Sequence, residues 1–125
     1  MGKATYNVRV NTLKNRLYIS LVGYFSLEEI ARCGDETIAA TKKLRPGYDV
    51  ITDIRQFKAG SPDVAKDIER VQAHFRKSGA RQGVRIVAAD NLLTGIQFRR
   101  TGTQAQYNSV NVDSLEAAEA LLANV

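Results

Sequence analysis

The chain of 125 residues holds one Cys, Cys33, one His, His74, two Pro and no Trp. A lone cysteine excludes an internal disulfide framework. One Cys with one His also excludes the usual zinc ligand sets and any nucleophilic chemistry that needs a Cys–His pair plus a further member. Apolar runs such as Ile19 to Gly23 and Ile86 to Ala89 stop far short of the ~20 residues a membrane helix requires. No secretory signal pattern opens the chain, so no membrane span and a cytoplasmic location are expected. The chain has no P-loop, no dinucleotide-binding glycine pattern and no metal-ligand spacing; Gly79 and Gly83 punctuate a turn and do not cradle phosphate, and neither a cofactor nor a metal is implied. A block of one charge is missing too. Lys and Arg number 18 against 13 Asp and Glu, a net charge of +5, but the excess is spread along the chain and forms no basic arm for nucleic acid.

What remains is ordinary globular material, 44% apolar and 25% charged with 9 Gly, which reads as a single domain over residues 1–125. At this length folding removes roughly two thirds of the unfolded surface from water, enough for a core without a covalent or metal staple. Tyr6, Val8 and Val10 alternate with polar residues, and Leu17, Ile19 and Leu21 repeat the pattern after Lys14-Asn15, which predicts a β-hairpin. The period then changes. Ser26 and Glu29 form a capping-box pair, and Leu27, Ile30, Ala31, Ile38, Thr41 and Leu44 mark one stripe of a helix that Pro46-Gly47 should stop.

Tyr48 to Ile54 is β-branched and apolar, an interior strand, with Arg55 to Gly60 as its loop. Ser61 as N-cap and Pro62 in the first turn open a second helix with Val64, Ile68, Val71 and Phe75 inward, closed by Ser78-Gly79. A strand over Val84 to Ala89, a helix from Leu92 to Thr101 with Gly102 as stop, a strand over Tyr107 to Val112 and a closing helix faced by Leu115, Ala118, Leu121 and Leu122 complete the chain. The order β-β-α-β-α-β-α-β-α predicts an α/β domain. Its sheet has five strands, mixed and mostly parallel, with four helices and right-handed crossovers.

Catalytic material is thin, and no catalytic residue is assigned. His74 lies beside the inward stripe of the second helix, and Cys33 beside that of the first, where it reads as a small core hydrophobe. Asp63 and Asp67 with Lys66 and Arg70 form a solvated helix face of ion pairs rather than an acid–base pair. Arg76, Lys77, Arg81 and Arg85, with Arg99 and Arg100 later, read as a charged rim, because no aromatic residues interleave them as a base-stacking platform would need. Asp53 stands out: it is placed where an apolar strand ends, at the edge where open α/β sheets present ligands or partners.

Four local features together resemble the STAS domain, named for sulfate transporters and anti-sigma factor antagonists. Gly23 follows the second strand and precedes a capped helix, Asp53 sits near the end of the central strand, and a Ser-capped helix begins after Gly60. The run FRRTG (Phe98 to Gly102) then leads to VNVDSLEAAEAL (Val110 to Leu121). The resemblance implies a non-catalytic regulatory module that binds a protein partner, a kinase-like anti-sigma factor or related regulator, and is switched by serine phosphorylation at the start of the second helix. The matching position is Ser61 in Gly60-Ser61-Pro62-Asp63, with one serine where the family pattern has two. The expected contact surface is the junction of third strand and second helix, Asp53, Lys58, Gly60, Ser61, Pro62 and Asp63. The alternative reading is a domain for a small or lipid-like anionic ligand, met by Arg55 or Lys58 beside the same strand ends.

Overall fold

The computed structural model describes residues 4–58, 60–88, 98, 100, 101, 103, 105 and 107–123. Its elements are β1 (Thr5–Asn11), β2 (Arg16–Tyr24), α1 (Leu27–Thr41), β3 (Asp49–Lys58), α2 (Pro62–Lys77), β4 (Gln82–Ile86), β5 (Ser109–Val112) and α3 (Leu115–Ala123). The strands form one five-stranded sheet in chain order. β1 and β2 are antiparallel and every later pair is parallel.

The hairpin is fixed by Asn15, which adopts φ 54° in the left-handed region that asparagine tolerates better than most residues. Its side-chain amide also ties down the loop after α1: Nδ2 donates to the Arg45 carbonyl at 3.1 Å and Oδ1 accepts from the Arg45 N–H at 2.8 Å. The Ser26–Glu29 capping box forms in both directions. α1 ends at Thr41, before Pro46-Gly47, because Lys43 and Leu44 bond back to Ala40 and Thr41 and tighten the exit into a turn.

Because successive side chains of a strand point to opposite faces, the sheet carries two separate apolar layers. Leu17, Ile19 and Leu21 of β2 and Val50 and Ile54 of β3 pack with Ile30 and Cys33 of α1 and Val64, Ile68 and Phe75 of α2. Tyr18, Ile51, Val84 and Ile86 face the other way, onto Ala118 and Leu122 of α3. The two crossover helices touch where Gly34 of α1 meets α2. A Cβ there would lie 2.8 Å from Arg70 Nη2 and 2.9 Å from Val71 Cγ2, so glycine permits the approach.

Several boundaries differ from expectation. The inward face of α1 is Ile30, Cys33, Gly34, Thr37 and Thr41, with Leu27 about half exposed. In α2 the third inward residue is Gln72, where Val71 was expected, and Val71 is only half-buried. In α3 Ala118 and Leu122 are buried and Leu115 is exposed. β4 stops at Ile86 and β5 begins at Ser109, while Gly23 lies inside β2 at φ 89° beside a register shift between Ser20 and Val22.

Three helices are delimited among the described residues, not four. The helix expected over Leu92 to Thr101 lies mostly outside the described residues. Phe98, Arg100 and Thr101 are helical, and so are Thr103 and Ala105, beyond the expected stop at Gly102.

Candidate functional site

β3 does not end near Asp53. It runs on to Lys58, because β2 is long enough to pair with it through Val22, Gly23 and Tyr24 after the register shift. Asp53 is therefore a mid-strand residue, opposite Ser20 on one side and Ile86 on the other. Arg55, two residues on and hence on the same face, grips it: Nε reaches Oδ1 at 3.0 Å, Nη2 reaches Oδ2 at 2.7 Å, and the Arg55 backbone N–H donates to Oδ1 at 3.1 Å. Burial pushes the Asp53 carboxyl up, but the hydrogen bonds and charge of Arg55 outweigh burial and hold it below the usual carboxylate range. The pair lines a polar hollow of about 330 Å³ with Ser20, Val22 and Gln56. An adjoining hollow, sharing Ser20 and Asp53, is walled by Asn7, Ile51, Leu115 and Arg9, whose guanidinium stacks over the Tyr18 ring at 3.9 Å. Arg55, named for the anionic ligand of the alternative reading, has its Nε and Nη2 on Asp53 and its side chain 43% exposed.

The second cluster is the start of α2. Lys58, Gly60, Ser61, Pro62 and Asp63 are all exposed. Ser61 occupies the N-cap with φ −67° and ψ 164°, and its carbonyl accepts from Val64 at 3.0 Å and Ala65 at 3.3 Å, yet its side chain makes no capping hydrogen bond. Beside it, Gly60, Pro62, Lys66 and Arg100 line a hollow of about 260 Å³.

The expected surface thus divides in two. Five residue steps of extended strand separate Asp53 from Lys58, roughly 16 Å at the strand rise. The structure joins Asp53 with Arg55 on the sheet face, whereas Lys58 ends β3 and Gly60, Ser61, Pro62 and Asp63 lie at the start of α2. Cys33 is buried, and burial above all pushes its thiol up to about 12. His74 Nε2 meets Thr41 Oγ1 at 2.8 Å, and burial followed by the charges of Arg70, Lys42 and Lys77 lowers its pKa. Arg70 bridges Asp67 at 2.9 Å and Asp35 of α1 at 3.2 Å. Among the described residues no cluster of His, Cys, Asp or Glu could hold a metal ion, and no helix is long and apolar enough to cross a membrane.

Arg85, Asp49 and Gln72 are polar groups inside the core. Arg85, placed in a charged rim, is only 4% exposed; it points toward α1 and α2, and its Nε donates to Asn111 Oδ1 at 2.9 Å. β4 is covered on both faces, so alternation there no longer separates inside from outside. Asp49 is buried at the start of β3, gripped by Arg81 at 2.9 and 2.5 Å. Gln72 was legible as a continuation of the Val64, Ile68 spacing.

No protein-family model matches the chain, and no curated protein matches it. A solved structure does. An uncharacterized protein of the DUF3478 family from Shewanella loihica PV-4, whose crystal structure is described as having a SpoIIAA-like fold, aligns with a TM-score of 0.74 at 13% identity. The alignment covers 98% of this chain and 97% of that one. At such identity the likeness is one of fold: the chain has a SpoIIAA-like, STAS-like α/β fold.

Proposed function

We propose that this STAS-like domain is a non-catalytic regulatory module of the cytoplasm that binds a protein partner through the exposed start of α2, with Ser61 as a phosphorylation switch. One observation carries the reading. Ser26 and Ser61 both stand at helix N-caps, but the Ser26 hydroxyl is engaged by the Glu29 N–H whereas the Ser61 hydroxyl is exposed and outside the cap bonding. A serine whose hydroxyl is not required by its own helix is accessible to a kinase without cost to the fold.

The charges nearby decide how such a switch acts. A phosphoryl group adds close to two negative charges. Helix N-termini stabilise an exposed anion by a fraction of a kcal/mol to about 1 kcal/mol, but Pro62 removes one N–H donor and Asp63 adds a like charge within the first turn. The modified group is therefore not drawn into the domain and acts outward, on whatever faces Lys58 and the Gly60 to Asp63 turn. Release of a partner follows more naturally than internal rearrangement. The partner expected is a kinase-like anti-sigma factor or related regulator.

Affinity capture with the purified protein tests this. Wild type and Ser61→Ala should retain the same partner, Ser61→Asp should retain at least tenfold less, and phosphate should be found on Ser61 by mass spectrometry of protein incubated with that partner and ATP. Equal retention by all three would remove Ser61 from the mechanism.

A further inference from the structure

Two stretches of the chain hold no Asp or Glu, Thr37 to Tyr48 and Arg70 to Ala88. The fold clasps them together where α1 and α2 finish. The Gly47 N–H donates to the Gly79 carbonyl at 2.7 Å, the Arg81 N–H donates to the Tyr48 carbonyl at 2.7 Å, and the Tyr48 and Ser78 hydroxyls meet at 2.6 Å. This end of the molecule carries Lys42, Lys43 and Arg45 from the exit of α1 and Arg76 and Lys77 from the last turn of α2, all exposed. The charges of Lys42 and Lys77 both reach the His74 imidazole, which Thr41 Oγ1 meets at 2.8 Å. None of these cations is in an ion pair among the described residues. The carboxylates that approach this end are already held, Asp49 by Arg81 and Glu119 by Arg16 and Lys14. Complementing the helix dipole accounts for Arg76 and Lys77, but Lys43 and Arg45 lie past the end of α1.

The tip of the β1–β2 hairpin is fastened to the same end, because the Asn15 amide holds the Arg45 backbone. It bears Leu13, which at 95% is the most exposed large apolar side chain among the described residues. A bare aliphatic group beside unpaired cations is the combination a lipid surface takes up, since anionic headgroups meet the cations while the aliphatic group enters beneath them. We propose that this end of the domain docks on an anionic lipid bilayer, with Lys42, Lys43, Arg45, Arg76 and Lys77 on the headgroups and Leu13 inserted at the acyl boundary. Nucleic acid matches the charge but not the rest: Tyr48 and Phe75, the aromatic residues of the two stretches, are buried and offer no ring to a base, and Leu13 would stay in water. Docking leaves the Ser61 surface free, because the 16 residues of α2 set its start about 24 Å from this end. The inference is therefore independent of partner binding there.

Co-sedimentation with vesicles tests it. The wild-type protein should bind phosphatidylcholine vesicles containing about one third phosphatidylglycerol, should not bind phosphatidylcholine alone, and should bind more weakly as salt screens the charges. Each Lys or Arg near such a surface is worth about fivefold in binding, so Lys42→Gln/Lys43→Gln and Arg76→Gln/Lys77→Gln should each bind roughly tenfold or more weakly. Leu13→Ser should lose about threefold or more. Arg32→Gln/Lys66→Gln removes as much charge from exposed positions nearer the starts of the same helices and should bind like the wild type. No binding to the anionic vesicles, equal binding to neutral ones, an equal loss in Arg32→Gln/Lys66→Gln, or full binding by Leu13→Ser would each overturn the proposal. Release of the protein from anionic vesicles by a stoichiometric amount of random-sequence DNA duplex would assign the patch to nucleic acid instead. The patch pairs and Leu13→Ser are separate proteins, so if one does not fold the others decide.

Discussion

Ser26 and Ser61 hold equivalent positions at the starts of α1 and α2 and do different work. Ser26 accepts from the Glu29 N–H at 3.1 Å while Glu29 returns a bond to the Ser26 N–H at 2.9 Å. Removing that hydroxyl should cost about 1 kcal/mol. Ser61 has no such bond, so Ser61→Ala should change stability by less than about 0.5 kcal/mol. Urea unfolding of the two variants measures both, and equal losses would show that Ser61 caps its helix in solution. At this scale the sequence was legible in position but not in bonding: Ser-x-x-Glu states a reciprocal cap, whereas Ser-Pro-Asp states only where a helix begins. Arg85 shows the opposite failure. Its charge suggested solvent, and only the layers over both faces of β4 place it inside.

Elements are joined by a few polar clasps as well as by apolar burial. α3 docks through Glu119, whose carboxylate accepts from Arg16 Nη1 at 2.5 Å and from the Tyr18 hydroxyl at 3.1 and 3.2 Å, and meets Lys14 Nζ at 3.4 Å. Burial raises the Glu119 pKa, but the Tyr18 and Arg16 bonds and the positive charges outweigh it, and the carboxyl titrates below its ordinary 4.5. A carboxyl with a depressed folded pKa contributes stability that is present above the unfolded value and lost as pH falls through the folded one. The protection factors of the α3 amides, which are exchange rates taken relative to the free peptide at the same pH, should therefore be high at pH 7 and fall as pH drops below about 4.5. Glu119→Gln should lower protection at pH 7 and make it depend less on pH; an unchanged pH profile would show that other carboxylates control α3.

Element types were readable from periodicity, and the capping box and Pro62 placed helix starts closely. The length of β3 was not, because Arg55-Gln56 looks like loop until β2 passes its register shift and supplies Val22, Gly23 and Tyr24 as partners.

In the whole molecule, the two apolar layers share one sheet, so neither should unfold alone. Ile54 is fully buried under α1 and α2 and Leu122 is 2% exposed under α3. Ile54→Ala and Leu122→Ala should each cost about 2–5 kcal/mol, and each should lower the midpoint of one common thermal transition seen alike by far-ultraviolet and near-ultraviolet circular dichroism. A separate early transition in Leu122→Ala would show α3 to be an independent unit. The chain alone determined the alternation of strands and helices, because it depends on periods of two and 3.6 residues that any local window displays. Tertiary structure alone decided that Asp53 and Ser61 lie apart, that Arg85 is interior, and that a cavity lies beside Gln72. Those outcomes depend on which strands pair, in what register and under which helix, and such pairing is made between residues far apart in sequence that no local pattern records.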